Sequence, residues 1–156
     1  MSLKNIRSLT GQIEQIETYL MDKVQLTDEF SMLQTIPGVG KILGMTIMLE
    51  TGNIGRFSRV GNYTSYCRCT SSSCTSNGKC KGKNNAKNGN KFLSWALVEA
   101  ASQIVMHYSE PSRFYQRKKD RKNGAVAIKA IASKLSKAIY FMLKKRQPFD
   151  MKRVFG

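Results

Sequence analysis

A run of hydroxyl side chains followed by lysines is the stretch of this sequence best suited to chemistry on a phosphate ester. Residues 70–76 read TSSSCTS and lead into Asn77, Gly78 and Lys79. A serine that attacks a phosphodiester needs an exposed hydroxyl, nearby cations and a proton acceptor. Ser76 and Lys79 meet the first two needs, and the acceptor must come from elsewhere. The alternative is a solvated Ser/Gly/Lys loop without chemistry, which composition alone favours.

A second stretch, residues 33–52, has the pattern of two apolar helices joined by a tight turn. Its sequence is LQTIPGVGKILGMTIMLETG. Pro37 cannot continue a helix, and Gly38 and Gly40 leave the backbone free to adopt positive φ. The helix that begins at Lys41 presents unpaired N–H groups and the positive end of its dipole at this turn. This helix-hairpin-helix pattern predicts a binding site for a backbone phosphate, and the alternative is a turn used only for packing.

The net charge of the chain indicates a polyanionic partner. Its 156 residues carry 26 lysines and arginines against 10 acids, a formal net charge of +16. No acid occurs between Thr51 and Val98. Nucleic acid is therefore the expected partner, and an anionic membrane surface is the lesser alternative. No apolar run reaches the roughly 20 residues that a membrane span needs, and no signal peptide is visible.

The four cysteines do not have the spacing of a usual zinc site. Cys67, Cys69, Cys74 and Cys80 follow the pattern C-x-C-x4-C-x5-C, whereas a structural zinc site usually offers two C-x2-4-C pairs. We expect reduced, unliganded thiols and assign no metal site, with zinc binding as the alternative. The lone histidine, His107, has no second ligand at a metal-binding spacing and is interpreted as a helix-end residue.

The hydrophobic pattern predicts an all-α fold, since no segment alternates as a strand would. Residues 1–27 are predicted as a coiled-coil-like helix, residues 28–150 as the main helical domain, and residues 151–156 as a tail. The domain contains the helix-hairpin-helix motif at 33–52 and a long, exposed basic loop at 68–90. The heptad stripe of the first helix consists of Ile6, Leu9, Ile13, Ile16 and Leu20.

Three further helices are expected after the loop. Residues 92–106 are apolar nearly all round and predict a buried central helix, in which Glu99 would need a cationic partner. A strongly basic helix follows at 111–122. The last helix begins after Gly124, is amphipathic, and ends at Pro148.

Two common catalytic arrangements are not supported by the sequence. The ten acids never gather into the cluster that a two-metal nuclease needs, and they fall on predicted helices. A Ser-His-Asp arrangement cannot be assembled either, because His107 lies at a helix end. The loop serine is therefore the remaining candidate for chemistry.

Several short motifs occur in an order that resembles a known family. They are IPGVG (36–40), ETGNIGRF (50–57), the segment 63–69, SNGK (76–79), KNGNKFLSWALVEAA (87–101), FYQRKK (114–119) and AIKAIASKL (127–135). Together they cover about residues 30–145 and are very similar to the C-terminal half of the insertion-sequence transposases of the one-ten family. Those enzymes have a RuvC-type DEDD nuclease domain in front of a Tnp domain and are guided by a bridge RNA.

The resemblance implies that this chain is the Tnp part of such a transposase and takes part in DNA strand cleavage and recombination. Ser76, at the family's Ser-Asn-Gly position, would be the nucleophile that forms a covalent phosphoserine link to DNA. The heptad helix would belong to the coiled coil that joins the two halves. The acids that bind Mg²⁺ lie in the nuclease domain, so the isolated chain is expected to be inactive and to carry no cofactor of its own. Asn53 stands where the family has an aspartate, a position that we interpret as structural.

The resemblance also sets the expected partners and location. DNA is the main partner, with a bridge RNA and further copies of the chain in the complete protein, in a bacterial or archaeal cytoplasm near the nucleoid and away from membranes. We assign nucleic-acid binding to Gly38, Gly40, Lys41, Lys79, Lys81, Lys83, Lys87, Arg117 and Lys118. The alternative from another class is a non-catalytic helix-hairpin-helix protein that binds DNA or RNA backbone.

Overall fold

The all-α class is confirmed by the computed structural model, which describes residues 2–24, 27–70, 73–76, 79–83 and 88–156. For residues 24, 73–76 and 79–83 it describes the backbone alone. The helices are α1 (Leu3–Val24), α2 (Asp28–Gln34), α3 (Lys41–Thr51), a 3₁₀ helix (Ile54–Arg56), α4 (Val60–Tyr66), α5 (Lys91–His107), α6 (Ser109–Arg121), α7 (Gly124–Lys145) and α8 (Met151–Phe155).

The core forms around α5 and α7, which pack against each other and against most of the remaining helices. The inward face of α5 is built from small and medium apolar side chains, which allow close approach of α7. Its fully buried members are Leu93, Ala96, Leu97, Ala100, Ala101 and Ile104. The facing side of α7 has the spacing of an amphipathic helix and buries Ile131, Ala132, Leu135 and Ile139.

Side-chain caps fix where several of these helices begin. The Oδ1 atom of Asn90 accepts hydrogen bonds from the N–H groups of Phe92 and Leu93 at 2.8 and 3.0 Å. Asn123 caps α7 in the same way, accepting from the N–H of Val126 at 2.9 Å. Each cap pairs N–H groups that have no partner inside the helix. The start of α5, beside the predicted loop, is therefore well defined.

The prediction for α5 was correct about its central place and wrong about two of its side chains. Trp95 remains 49% exposed, and Glu99 is exposed to solvent. Only one side of α5 meets α7, because the other side faces outward with Phe92 and Trp95 on it. Glu99 therefore does not need the buried cationic partner that we expected.

Helix α1 presents its heptad stripe to solvent along most of its length. Ile6, Leu9, Ile13 and Ile16 are all exposed, whereas Leu20 packs beside Phe30 and Met45 of the main body. A stripe of this kind is suited to docking on another helix. None of the helices in the described part of the chain has both the length and the apolar character of a membrane span.

The segment predicted as a long basic loop contains a two-stranded antiparallel hairpin. Strand β1 (Ser73–Ser76) pairs with β2 (Lys79–Lys83), with Ser76 opposite Lys79 and Thr75 opposite Cys80. The loop prediction was therefore incomplete, because a short hairpin has little room for the alternation that identifies longer strands. The available signal was the pair Asn77-Gly78, which is typical of two-residue hairpin connections.

The C-terminal residues set apart as a tail form helix α8, which packs on α6 and α7. Phe155 is buried, and its ring lies edge-on to that of Phe114. The preceding helix α7 ends before Pro148, where Arg146 takes a left-handed conformation with φ of 50°. The basic helix α6 begins at Ser109 and includes Pro111 in its first turn, a position that tolerates proline.

Candidate nucleic-acid interface

The turn between α2 and α3 needs Gly38 for two reasons. Its φ of +80° lies in the left-handed region, which glycine adopts without strain. A Cβ atom at this position would also lie 2.6 Å from the Cβ of Gln103 on α5. Gly38 therefore allows the turn to bend and to pack against the central helix.

Gly40 has a different role from Gly38 and does not use the freedom to adopt a positive φ. It is the N-cap of α3 in extended conformation, with φ of −77°, and no atom lies within 4 Å of the place a Cβ would take. No side chain caps this helix start, and Gly40 and Lys41 are both exposed. The start of α3 thus has no side-chain cap and has an exposed lysine as its first residue, two features that an anion-binding turn needs.

The predicted nucleophile lies at the end of the first strand of the hairpin. Ser76 is the last residue of β1 and is paired in register with Lys79, the first residue of β2. Lys79, Lys81 and Lys83 occupy alternate positions of β2. Lys87 lies outside the described residues. The hairpin therefore places the predicted serine and one predicted lysine directly across from each other in the backbone.

The base of the hairpin is held by backbone and side-chain hydrogen bonds. The N–H of Asn90 donates to the carbonyl of Tyr66 at 2.6 Å, and the Arg68 guanidinium donates to the carbonyl of Gly89 through Nε at 3.0 Å and through Nη2 at 2.8 Å. Gly89 has φ of +95°, and a Cβ there would lie 2.5 Å from the Tyr66 carbonyl oxygen. The two ends of the segment 70–88 are thus fixed side by side on the helical body.

A cluster of polar side chains beside this base was not predicted as a site. The Nδ2 atom of Asn90 donates to the Oε2 atom of Glu50 at 2.6 Å and to the hydroxyl of Tyr66 at 3.3 Å. The Arg56 guanidinium lies 4.7 Å from the centre of the Tyr66 ring. The hydrogen bond from Asn90 and the nearby Arg56 guanidinium lower the pKa of Tyr66. The four residues are spread over residues 50–90, and only Glu50 and Arg56 share a local motif, so no local pattern could have found the whole cluster.

Asn53, which takes the place of the family aspartate, has a structural role. Its Oδ1 atom accepts a hydrogen bond from the N–H of Gly55 at 2.7 Å and so caps the 3₁₀ helix that ends at Arg56. An aspartate could accept the same bond. The interpretation of this position as structural agrees with the geometry.

The two predicted binding residues on α6 belong to a crowded cationic surface. Arg117 and Lys118 are exposed, and their charges lie 6.0 and 5.7 Å from the centre of the Phe114 ring. Lys134 of α7 lies over the same ring at 4.8 Å. Burial, followed by the charges of Arg117 and Lys137, lowers the pKa of Lys134. Cations held this close to one another favour a polyanionic partner.

The predicted binding residues form three groups, on the α2–α3 turn, on β2 and on α6. Among the described side chains, none of the hydrogen bonds or ring contacts joins the group on the α2–α3 turn to the group on α6, and the β2 side chains lie outside this description. The helices that carry Lys41 and Arg117, α3 and α6, both pack against the central helix α5.

Two of the four cysteines belong to the hydrophobic core. Cys67 and Cys69 are buried free thiols, and the Sγ atom of Cys69 donates to the carbonyl of Cys67 at 3.3 Å. Burial raises the pKa of Cys67 from 9.0 to about 12 and that of Cys69 from 9.0 to about 11. The side chains of Cys74 and Cys80 lie outside the described part of the structure, so the choice between free thiols and zinc stays a prediction for them.

Comparison with known proteins gives one family match. The family model described as "Transposase IS116/IS110/IS902 family" matches residues 31–116. This range includes the α2–α3 turn, the hairpin, the cluster at its base and most of α6. A search among curated proteins finds no match.

Proposed function

Because the chain belongs to the IS116/IS110/IS902 family of transposases, we propose that it engages DNA and supplies the serine nucleophile of an insertion-sequence transposase. The observation that carries the proposal is the position of Ser76 at the end of β1, paired with Lys79 on a hairpin whose base is fixed to the body. A hydroxyl on such a hairpin can reach a DNA strand while the helices hold that strand in place.

In the proposed reaction the hydroxyl oxygen of Ser76 attacks a phosphorus atom of the DNA backbone. The new bond joins that oxygen to phosphorus, and the bond from phosphorus to one bridging oxygen breaks. The released DNA hydroxyl takes up a proton, and the serine hydroxyl gives its proton to an acceptor. A hydroxyl of another DNA end can then displace the serine and rejoin the strands.

The hairpin segment itself holds no carboxylate or imidazole that could accept the proton, and Glu50, beside its base, already accepts a hydrogen bond from Asn90. No aspartate, glutamate or histidine occurs between Thr51 and Val98, and a serine hydroxyl is a weak nucleophile without activation. Lysines on β2 can stabilise the added negative charge of the transition state. We therefore propose that the complete enzyme supplies the acceptor from another part of the protein.

The acids of this chain do not fit the Mg²⁺ site that the family resemblance implies. All ten acids fall within the described residues, and among the described side chains no three of His, Cys, Asp or Glu converge on one point. We assign no step to Mg²⁺ here and propose that a RuvC-type domain binds it in the complete transposase. A bridge RNA and self-association are further parts of this proposal.

The proposal is tested by strand cleavage in the complete transposase. Ser76→Ala should abolish cleavage and leave DNA affinity nearly unchanged, because one small hydroxyl contributes little to binding or folding. Ser73→Ala, on the same strand, is the matched control and should cleave normally. Tyr115→Phe is a second control, since the Tyr115 hydroxyl lies 2.9 Å from where a Cβ of Gly124 would be and is packed against α7. Cleavage by Ser76→Ala at the wild-type rate would overturn the proposal and favour a non-catalytic DNA-binding role.

A further inference from the structure

Arg56 holds its charge rigidly at the protein surface without a carboxylate partner. Its guanidinium lies 4.5 Å from the centre of the Phe57 ring and 4.7 Å from that of the Tyr66 ring, while the residue as a whole is exposed. Contact with two aromatic rings restricts the long side chain, so little conformational entropy is left to lose when a ligand binds.

The negative charges of the chain do not neutralise Arg56. Every aspartate and glutamate lies in the described residues, and the ion pair that these residues form joins Arg146 to Glu29. Glu50 is the acid of the cluster beside Arg56, but its Oε2 atom accepts the 2.6 Å hydrogen bond from Asn90. The N–H edges of the Arg56 guanidinium therefore have no carboxylate to bind within the protein.

Arg56 also lies beside the base of the hairpin that carries Ser76. Its guanidinium contacts the ring of Tyr66. The backbone carbonyl of Tyr66 accepts the 2.6 Å hydrogen bond from the N–H of Asn90. That bond joins the two ends of the segment 70–88. A DNA strand that follows the hairpin segment to its ends at Tyr66 and Asn90 would come within reach of Arg56.

We propose that Arg56 is a phosphate anchor, which binds one backbone phosphate of the nucleic acid where the strand passes the base of the β1–β2 hairpin. The Arg56 guanidinium also forms a hydrogen bond with the Tyr66 hydroxyl, and this contact leaves the other N–H donors of its planar fork for phosphate oxygens. The ligand class is a phosphodiester backbone, read without base contacts. The inference rests on the proposed function in one respect only, that the hairpin face is the one that contacts DNA.

The test is binding of a fluorescent DNA duplex of about 30 base pairs, measured by anisotropy over a series of NaCl concentrations. Arg56→Met should weaken binding about 5–10-fold at 0.1 M salt and lower the salt slope by about 0.9, the value for one lost phosphate contact. Arg56→Lys should keep most of the slope, because the charge remains, but should still bind about 3-fold more weakly. Arg7→Met, which removes an exposed arginine from α1, is the control for loss of charge alone.

The melting temperature of each variant separates binding from folding. An Arg56→Met variant that melts like wild type and binds like Arg7→Met would overturn the proposal, and so would an unchanged salt slope. If Arg56→Met does not fold, Arg56→Lys decides, since wild-type affinity in that variant would contradict a forked phosphate contact. Failure of the serine proposal would look different, because Ser76→Ala would then cleave DNA whatever the affinity of the Arg56 variants.

Discussion

The side-chain amide of Asn90 donates a 2.6 Å hydrogen bond to the carboxylate of Glu50, and this contact joins the start of α5 to the end of α3. The carbonyl oxygen of the same amide caps α5, and its backbone N–H bonds to Tyr66. One residue thus connects the end of the hairpin segment to the residues before it and to the helical body. Substitution of Asn90 should therefore affect both the stability of the fold and the position of the hairpin.

Two substitutions of Asn90 should distinguish its role as the cap of α5 from its contact with Glu50. Asn90→Ala should lower the free energy of unfolding by about 1–2 kcal/mol, because it removes a helix cap and the amide partner of a carboxylate. Asn90→Asp keeps the cap but places a second negative charge against Glu50, so we expect a loss at least as large at neutral pH. The measurement is urea denaturation of each variant.

Two controls apply to the loss of unfolding free energy in Asn90→Asp. This loss should be smaller in acid, where one of the two carboxyls takes up a proton. It should also be smaller in the double variant with Glu50→Gln. Additive losses from the two substitutions would show that residues 50 and 90 do not interact.

Alanine substitutions of the two turn glycines should differ in their effect on stability. Gly38→Ala combines a φ of +80° with a Cβ contact of 2.6 Å to Gln103 and should cost about 1–3 kcal/mol of stability. Gly40→Ala meets open space at an ordinary φ and should leave the melting temperature within about 2 °C, as expected of a substitution worth less than 0.5 kcal/mol. Equal melting temperatures for the two variants would contradict the described turn.

Phosphate binding at the start of α3 is tested at the same turn. Lys41→Gln should weaken binding to all DNA sequences alike and should lower the salt slope by about 0.9. Gly40→Leu should fold, because no atom lies within 4 Å of the place its Cβ would take, and it should also weaken binding by blocking approach of the phosphate. Wild-type affinity in both variants would mean that the turn serves packing alone.

The buried thiols should make the protein sensitive to base. Burial raises the pKa of Cys67 from 9.0 to about 12, so between these pH values the unfolded chain loses a proton that the folded chain keeps. The contribution of the Cys67 thiol to the free energy of unfolding should therefore be constant below pH 9 and fall as the pH rises above it. Cys67→Ala should remove the part of this pH dependence that comes from Cys67 and leave the part that comes from Cys69, while lowering stability at neutral pH. At pH 8 the buried thiols of Cys67 and Cys69 should react with iodoacetamide only after denaturation.

Helix ends that are set by residues within one turn could be predicted from the sequence. Helix α3 runs from Lys41 to Thr51 and ends at Gly52, whose φ is +57°, because capping and helix-stop signals act within one turn. The exposure of Trp95 and Glu99 could not be predicted, because α5 is apolar nearly all round and only packing decides which face is covered. Periodicity alone did not separate the hairpin from a loop.

The candidate site divides in the same way. The serine and the lysines of the hairpin could be proposed from the sequence because they lie close together in the chain, and the family match at residues 31–116 includes them, whereas their pairing across the two strands is set only by folding. Arg56 was missed because its environment is built by Phe57 and Tyr66 together with Asn90 and Glu50, which meet only in the folded protein. An arginine on aromatic rings has no sequence signature of its own.

The central claim, that Ser76 forms the covalent link to DNA, is tested most directly by locating that link. The complete transposase is trapped on its DNA, the adduct is digested with nuclease and trypsin, and the peptides are sequenced by mass spectrometry. We predict that the nucleotide mass lies on the peptide from Cys69 to Lys79 and that fragmentation places it on Ser76. A nucleotide on another hydroxyl of that peptide, or on Tyr115 in the peptide from Phe114 to Arg117, would contradict the claim.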